Sequence, residues 1–272
     1  MSTQAEKAER FLALHHGDTP LLMPNAWDAG SASLFASLGF QAIATTSSGH
    51  AATLGRLDGA VTRDEALEHA ATISAATDLP VSCDFENGFA DDLEAVAANV
   101  TRAVATGLAG CSIEDFARSA DDPIYPIDLA AERVAAAAEA AHGGAARLVL
   151  TARAENYLHG RPDLADTIAR LQRFQAAGAD VLYAPGLTEE DDIRSVVDAV
   201  DRPVNVIALA SAPSVARLRE LGVARVSVGG AFAWVAYGAV AAAAHELLDE
   251  GTYGYFTVAG VGRSAARAAF GA

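Results

Sequence analysis

The chain has 272 residues, 51% of them hydrophobic, and 19 basic residues stand against 35 acidic ones for a net charge of −16. This acidity argues against a nucleic-acid partner, because phosphate binding needs a clustered basic surface. The two cysteines, Cys83 and Cys111, each lie in an apolar run and indicate no disulfide framework. The lack of a disulfide framework and an N-terminus without the pattern of a signal peptide together predict a cytoplasmic protein.

Short apolar runs alternate with helix-like stretches along the whole chain. The first residues have the pattern of an amphipathic helix, in which His15 and His16 are predicted to face solvent. Eight strands are predicted at 21–24, 42–46, 81–84, 110–114, 148–152, 181–184, 204–207 and 225–228. Helices are predicted between them, among them 63–76, 93–106, 127–141, 164–176 and 214–221.

This alternation, uninterrupted by a linker, predicts one α/β domain over residues 1–272, a (β/α)₈ TIM barrel with an extra N-terminal helix. An open doubly wound sheet is the alternative. However, no G-x-G-x-x-G turn follows the first predicted strand.

The segment 231–248 is apolar on nearly every face, with Phe232, Trp234, Val240 and Leu247 among its residues. A helix on the outside of a barrel needs one buried stripe, so the remaining apolar surface predicts a further partner. The alternative is that the tail, 253–270, folds back over it. The apolar part, 231–244, is shorter than a membrane span, so no membrane partner is expected.

Polar residues follow several of the predicted strands, where barrels of this kind place their chemistry. Asp84 and Glu86, in "VSCDFENGFADD", would project from the same face if their strand reached residue 86. The other strand-end residues considered are Thr46, Ser47, Ser48, Glu114, Arg153 and Asn205. Their convergence predicts an active site at one end of the barrel.

These residue types favour one kind of chemistry. Carboxylates without a histidine or cysteine cluster are ligands for Mg²⁺ or Mn²⁺ rather than zinc. Arg153 is suited to a substrate carboxylate, the alternative being a structural ion pair. The 46–48 turn (Thr46, Ser47 and Ser48) offers donors for a developing oxyanion, the alternative being a helix N-cap. Together these features fit an enolate formed beside a carboxylate.

The sequence also resembles the isocitrate lyase/phosphoenolpyruvate mutase superfamily between residues 21 and 253. The resemblance rests on "PNAWDAGSASLFASLGFQAIATTSSG", "LGRLDGAVTRDE", "LPVSCDFENGF", "GCSIED", "LTARAENY" and "AGADVLYAPG", in this order. It implies a (β/α)₈ barrel that binds Mg²⁺ and a 2-oxo or 2-hydroxy acid. It also implies that a bond is broken or rearranged beside an enolpyruvate-like intermediate.

Motif matching to that superfamily implies a role for each site residue. Asp84 is implied as the direct metal ligand, and Asp58, Glu86 and Glu114 as the carboxylates that hold the metal's waters. Arg153 is implied as the clamp for the substrate carboxylate, and the 46–48 turn as the loop that receives the oxo-acid oxygens. The resemblance further implies a homo-oligomer, most simply a tetramer, whose C-terminal helices are exchanged between subunits.

Departures from the superfamily pattern narrow the range of activities that the resemblance implies. The cysteine loop "KKCGH" of isocitrate and methylisocitrate lyases is replaced by "EDFARSADDPIYPID". Between Asp115 and Asp128 there is neither the asparagine nor the threonine of the phosphonate branch, and Arg118 is the single basic residue. The resemblance is then strongest to the oxaloacetate decarboxylase and α-oxo-acid lyase branch.

We therefore expect a Mg²⁺-dependent carbon–carbon lyase or decarboxylase acting on a small 2-oxo or 2-hydroxy dicarboxylate. The predicted catalytic residues are Arg153, Glu114, Thr46 and Ser47, and the predicted substrate-binding residues are Thr46, Ser47, Ser48, Asp84, Arg153, Asn205 and Trp27. The alternatives are a phosphonate P–C mutase or hydrolase, and a barrel that binds oxo acids without turning them over. His50 is expected to be a packing residue, Asp28 a helix cap, and Tyr125 a residue that could close over substrate.

Overall fold

The strands in the computed structural model, which describes residues 2–117 and 123–271, form one closed parallel barrel. They are β1 Leu21–Met23, β2 Asn25–Ala26, β3 Ile43–Thr45, β4 Val81–Asp84, β5 Gly110–Glu114, β6 Val149–Arg153, β7 Val181–Tyr183, β8 Val204–Ile207 and β9 Arg225–Ser227. β1 pairs with β9, whereas β2 pairs with β3. Since β1 and β2 flank Pro24, they are two halves of one barrel strand, and the predicted eightfold barrel is confirmed.

The first helix precedes the strands, and the other helices follow them on the outside of the barrel. They are α1 Gln4–Leu14, α2 Ala29–Ser37, α3 Ser47–Thr53, α4 Arg63–Ala75, α5 Leu93–Val104, α6 Ile127–His142, α7 Leu164–Ala176, α8 Glu190–Ala199, α9 Val215–Glu220, α10 Ala231–His245 and α11 Phe256–Phe270. Asp28 caps α2 as expected, by accepting the Ser31 N–H at 2.6 Å. Alanines on α5 and α6 let these neighbouring helices pack closely over the β-strands.

Helix α1 closes the amino ends of the barrel strands. Its Phe11 is fully buried against Gly110, where an added Cβ would lie 2.8 Å from the Phe11 ring. The prediction that His15 faces solvent is wrong, whereas His16 is exposed. His15 is 4% exposed because its ring packs edge-on against Phe11 and its Nδ1 lies 2.8 Å from the Phe11 carbonyl oxygen.

The C-terminal helices lie outside the barrel and expose a large apolar surface. Helix α10 continues through a π-helical turn, Glu246–Glu250, and α11 then packs against α2. The tail therefore does not fold over α10, and Val235 and Val240 are each 68% exposed. The exchange of these helices between subunits concerns a second chain and stays a prediction.

Among the described residues, one helix is long and apolar enough to cross a membrane, judged by length and composition alone. It spans Ala231–Glu250, with 20 residues, a mean hydropathy of 1.3 and 6% of that window buried. The π-helical turn makes it longer than the apolar segment expected from the sequence. An uncovered interface helix satisfies the same criteria, so the expectation of no membrane partner stays a prediction.

Candidate active site

The polar strand ends meet at a cavity of about 170 Å³ at the carboxyl end of the barrel. Of the residues predicted for the site, the cavity is lined by Thr46, Ser47, Ser48, Asp58, Asp84, Arg153 and Asn205. A larger groove, of about 670 Å³, lies near the end of α1 and is lined largely by apolar and backbone groups. The acidic residues and the arginine lie at the smaller cavity, which is the candidate active site.

Arg153, at the end of β6, is surrounded by two buried acids and one partly exposed acid. Its Nη1 donates to Asp84 Oδ1 at 2.7 Å, and its Nε donates to Glu155 Oε1 at 2.7 Å. Its Nη2 lies 3.2 Å from Glu114 Oε2. Burial opposes the charge of Arg153, but Glu155, Glu114 and Asp84 raise its pKa well above the usual value. The structural ion pair considered for Arg153 is thus present, and its contact with substrate stays a prediction.

The carboxylates around Arg153 compete for its positive charge. Burial raises the pKa of Glu114 well above its usual value. Arg153 lowers this pKa, whereas the nearby carboxylates of Glu155, Asp84 and Glu86 raise it further. Burial also opposes ionisation of Glu155, yet Arg153 lowers its pKa. One guanidinium among four carboxylates leaves an excess of negative charge, which a cation would relieve.

The 46–48 turn begins helix α3 beside the cavity. Thr46 is the N-cap, since its Oγ1 accepts the Gly49 N–H at 3.3 Å, which confirms the capping alternative. The Ser47 N–H donates to Asp84 Oδ2 at 3.1 Å and is therefore already engaged. Ser47 and Ser48 line the cavity, so their side chains are candidate donors to a ligand, although Ser48 Oγ also lies 3.2 Å from Thr46 Oγ1.

The chain turns sharply after Asp84, the last residue of β4. Glu86 and Phe89 adopt left-handed backbone conformations, with φ of +46° and +52°. The strand ends at Asp84, so the condition under which Asp84 and Glu86 would project from one face is not met. Glu86 instead lines a narrow space next to Asp84, and its carbonyl oxygen accepts the Glu114 N–H at 3.0 Å.

Arg133 holds this turn in place, a role that the sequence analysis missed. It is 1% exposed on α6, and its two terminal nitrogens donate to the carbonyl oxygens of Asn87, Ala90 and Asp91. Its guanidinium lies over the ring of Tyr125, 4.3 Å from the centroid. An arginine in an alanine-rich helical pattern gives no sequence signal for this role. The predicted loop residue Arg118 lies outside the described residues.

Two residues considered for the cavity lie elsewhere. The Trp27 ring packs against Phe35, with centroids 6.1 Å apart, and Trp27 is absent from the lining of the cavity described here. Its contact with substrate stays a prediction. His50 stacks on His69, with ring centroids 3.8 Å apart, in agreement with a packing role.

Tyr125, which was considered as a residue that could close over substrate, has a hydroxyl that accepts a hydrogen bond from Asn87 Nδ2 at 3.1 Å. Its closure over substrate stays a prediction.

The floor of the cavity contains a second arginine, which the sequence analysis also missed. Arg225 lines the cavity and donates to Asn205 Oδ1 at 2.9 Å. Asn205 Nδ2 in turn donates to Ser227 Oγ at 3.0 Å. The predicted substrate-binding Asn205 is thus at the cavity, but its amide is already bonded to two side chains.

The donor set fits a hard divalent cation held largely through water. In the described part of the chain, no group of three or more His, Cys, Asp or Glu side chains is arranged to bind a metal directly. Asp84 lines the cavity, and each of its oxygens accepts one hydrogen bond and retains a further lone pair. Mg²⁺ characteristically retains waters, which suits one direct carboxylate with further acids behind them.

A (β/α)₈ barrel with a polar cavity, lined by both acidic residues and arginines, at the carboxyl ends of its strands defines a barrel enzyme that acts on a small molecule. The sequence model of the phosphoenolpyruvate phosphomutase family matches residues 11–248. The chain belongs to this family, within the isocitrate lyase/phosphoenolpyruvate mutase superfamily.

Individual relatives cover most of the chain. A Burkholderia cenocepacia J2315 protein, provisionally described as a lyase/mutase, has a structure similar to this chain at a TM-score of 0.93. It is 50% identical, over 97% of this chain and 96% of that one. A 2,3-dimethylmalate lyase is similar at a TM-score of 0.83 with 26% identity, over 97% of each chain. An oxaloacetate decarboxylase of Paraburkholderia xenovorans is 31% identical over 70% of this chain and 64% of its own length.

Proposed function

We propose that the chain is a Mg²⁺-dependent carbon–carbon lyase or decarboxylase of the cytoplasm, with Mn²⁺ as an alternative ion. Its substrate would be a small 2-oxo or 2-hydroxy dicarboxylate, cleaved through an enolpyruvate-like intermediate. The observation that carries this proposal is the cluster of Asp84, Glu114 and Glu155 around Arg153 beside a polar cavity. The relatedness to a decarboxylase and a dicarboxylate lyase supports it.

Asp84 would bind the cation directly, while Asp58, Glu86 and Glu114 would hold its waters. The cation, when bound, would polarise an oxygen of the substrate as a Lewis acid. Asp58 and Asp84 line the cavity, whereas Glu86 and Glu114 lie behind it. This arrangement supports a cation held partly through water.

Arg153 would orient the oxo-acid or hydroxy-acid end of the substrate, since a guanidinium offers paired donors to a carboxylate. In the structure those donors contact Asp84 and Glu114, so binding of substrate would require Arg153 to exchange partners. A cation on Asp84 would favour this exchange, because it would compete for the same carboxylate.

The 46–48 turn would stabilise the enolate that forms when the carbon–carbon bond breaks. The hydroxyls of Ser47 and Ser48 line the cavity and are donors of the kind that hold a developing oxyanion. Thr46 would keep the turn in shape, since it caps α3 and its Oγ1 lies 3.2 Å from Ser48 Oγ.

The test is a panel of substrates, assayed with and without EDTA for pyruvate, glyoxylate, CO₂, phosphate and phosphoenolpyruvate. It would contain oxaloacetate, alkyl-substituted malates and phosphonopyruvate. We expect turnover of a dicarboxylate that EDTA abolishes and added Mg²⁺ restores. Faster turnover of phosphonopyruvate would favour the P–C alternative to which the family name points, with release of phosphate marking a hydrolase and formation of phosphoenolpyruvate marking a mutase. Binding without turnover of any compound would favour a non-catalytic barrel.

A further inference from the structure

Arg225 is a buried cation whose hydrogen-bond partners are all neutral. It is 3% exposed, and its Nη2 donates to Thr151 Oγ1 at 3.2 Å while its Nε donates to Asn205. Its Nη1 lies 3.2 Å from His15 Nε2. Within residues 2–117 and 123–271, no carboxylate forms an ion pair with Arg225, in contrast to Arg153.

His15 acts as a neutral acceptor for Arg225. Its Nδ1 lies 2.8 Å from the carbonyl oxygen of Phe11, an acceptor that requires a proton on Nδ1. Nε2 is then left with a lone pair toward Arg225. Burial, reinforced by Arg225, lowers the pKa of His15 to about 3, so the ring carries no charge near neutral pH.

The positive charge of Arg225 is therefore not neutralised by the protein around it. Burial, reinforced by Arg153, lowers its pKa to about 9, at which it still remains protonated at neutral pH. A buried charge without an opposite charge is unfavourable. Its guanidinium has five N–H groups and uses three of them in these contacts, so two remain for a ligand in the cavity that it lines.

The surroundings of Arg225 are those of a binding site rather than of a packed barrel core. Barrel interiors are usually filled by branched apolar side chains. Here Ser82, Ser112, Thr151 and Ser227 line the cavity from four strands. A volume of about 170 Å³ is sufficient for a four- or five-carbon dicarboxylate.

We propose that Arg225, positioned by Asn205, Thr151 and His15, binds the distal carboxylate of the substrate at the floor of the cavity. This inference rests on the proposed function, in which Arg153 orients the other end of the same molecule. It assigns to the site a dianionic substrate held between two arginines.

A guanidinium bound to the distal carboxylate favours cleavage of the C2–C3 bond over loss of that carboxylate as CO₂. In a retro-aldol cleavage, the hydroxyl of a 2-hydroxy dicarboxylate passes its proton to water and becomes the carbonyl of a 2-oxo acid. The C2–C3 bond breaks, and its electron pair stays on C3, where charge spreads onto the distal carboxylate before C3 takes a proton from water. Arg225 would stabilise that charge.

Decarboxylation has the opposite requirement. The distal carboxylate would lose its charge as CO₂, and a bound guanidinium would stabilise the reactant more than the transition state. The inference therefore favours a 2-hydroxy dicarboxylate lyase whose two products both retain a carboxylate.

The test compares lactate with malate, which is lactate with one added carboxylate, by calorimetry in the presence of Mg²⁺. We expect the wild-type protein to bind malate about 30-fold more tightly than lactate, because the added carboxylate gains charge-assisted hydrogen bonds. Arg225→Met should reduce this preference to about threefold or less. Arg219→Met, which removes an exposed arginine on α9, is the matched control and should keep the wild-type ratio.

A second variant separates the charge of Arg225 from its contribution to folding. Asn205→Asp keeps the shape of the side chain and places a carboxylate on Arg225 Nε, so it should remove the malate preference while the fold remains. A wild-type ratio near one, or a folded Arg225→Met or Asn205→Asp protein that keeps the wild-type ratio, would overturn the inference.

A crystal structure of the wild-type protein with malate decides the case even if neither variant folds. The C4 carboxylate is expected within hydrogen-bond distance of the Arg225 guanidinium, and its location elsewhere would contradict the inference. These readouts measure binding, so they are distinguishable from a failure of the proposed function. A chain that cleaves dicarboxylates without this preference retains its function and loses the subsite.

Discussion

Arg153 and Arg225 line the same cavity but have opposite surroundings. Arg153 contacts three carboxylates, whereas Arg225 contacts an amide, a hydroxyl and a neutral imidazole. The first can be released to a ligand only by exchange of partners. The second already has N–H groups to offer. The two arginines therefore have different parts in binding the same substrate.

Replacement of Arg153 by lysine should reduce kcat/KM for the best dicarboxylate by about 100-fold. A lysine carries a point charge and cannot serve two carboxylates and a substrate in one plane. Steady-state kinetics give the measurement. Arg147→Lys is the matched control, since Arg147 is half exposed in an ion pair with Asp180 away from the cavity. Near-wild-type kinetics for Arg153→Lys would show that its planar geometry is not needed.

Acid should destabilise the protein partly through His15. Its pKa is about 3 in the folded chain, against 6.5 as the ordinary value. The unfolded chain takes up this proton first as the pH falls, so this contribution to stability is complete above pH 6.5 and is lost as the pH falls toward 3.

The His15→Gln variant, which keeps an acceptor for Arg225, should lose less stability than wild type between pH 7 and pH 5, by about 2 kcal/mol. Urea unfolding at the two pH values gives the comparison. Equal losses in the two proteins would mean that His15 is protonated in the folded state.

Several site residues could be predicted from sequence because they belong to short local patterns. Asp84 ends one predicted strand and Arg153 directly follows another, and the barrel then brings them together. Arg225 and His15 could not be predicted, since they are 210 positions apart and meet only through the closure of the barrel by α1. A histidine at a helix end also looks like a surface residue until that closure is known.

The segment between β4 and α5 is held in shape by contacts from a different helix. Two non-glycine residues, Glu86 and Phe89, adopt left-handed conformations there, which requires support from the surroundings. Arg133 on α6 supplies it through three backbone carbonyl groups. The geometry around Asp84 therefore depends on a buried residue outside the cavity.

Replacing Arg133 by methionine should lower the free energy of unfolding by about 3 kcal/mol, because three partly buried hydrogen bonds to backbone carbonyl groups would be lost. Urea unfolding monitored by circular dichroism tests this. Arg102→Met is the matched control; Arg102 is half exposed and bonded to Asp64, and a change below about 1 kcal/mol is expected. A similarly small change for Arg133→Met would contradict its structural role.

Most elements could be predicted because their periodicity and caps are local. Helix 164–176 was predicted with the bounds that the structure has, and Asp163 caps it. The division of the first strand at Pro24 could not be predicted, because it depends on which neighbouring strand each half pairs with. The extension of α10 by a π-helical turn likewise has no periodic signal.

The molecule is acidic overall but has an apolar region on its surface. The chain carries a net charge of −16, yet α10 and α11 present exposed apolar side chains, including Val240, Phe256 and Val261. An apolar surface of this kind is typical of an interface between subunits. We therefore propose a homo-oligomer, most simply a tetramer, that buries these helices.

Light scattering of the intact chain should give the mass of a tetramer, and a monomer at micromolar concentration would contradict this proposal. Val240→Arg should shift the mass toward smaller species, because it places a charge in the proposed interface. Val215→Arg, at an exposed position on α9, is the control and should leave the mass unchanged. Truncation after Gly230 should yield insoluble protein.

The most direct test of the account is to measure Mg²⁺ binding and Mg²⁺-dependent turnover in the wild type and in Asp84→Ala. Asp84 contacts both Arg153 and the 46–48 turn and faces the cavity. We predict that the wild type binds Mg²⁺ and cleaves a small dicarboxylate, and that Asp84→Ala, while still folded, loses both properties. An Asp84→Ala protein that retains Mg²⁺ binding and turnover would contradict the account.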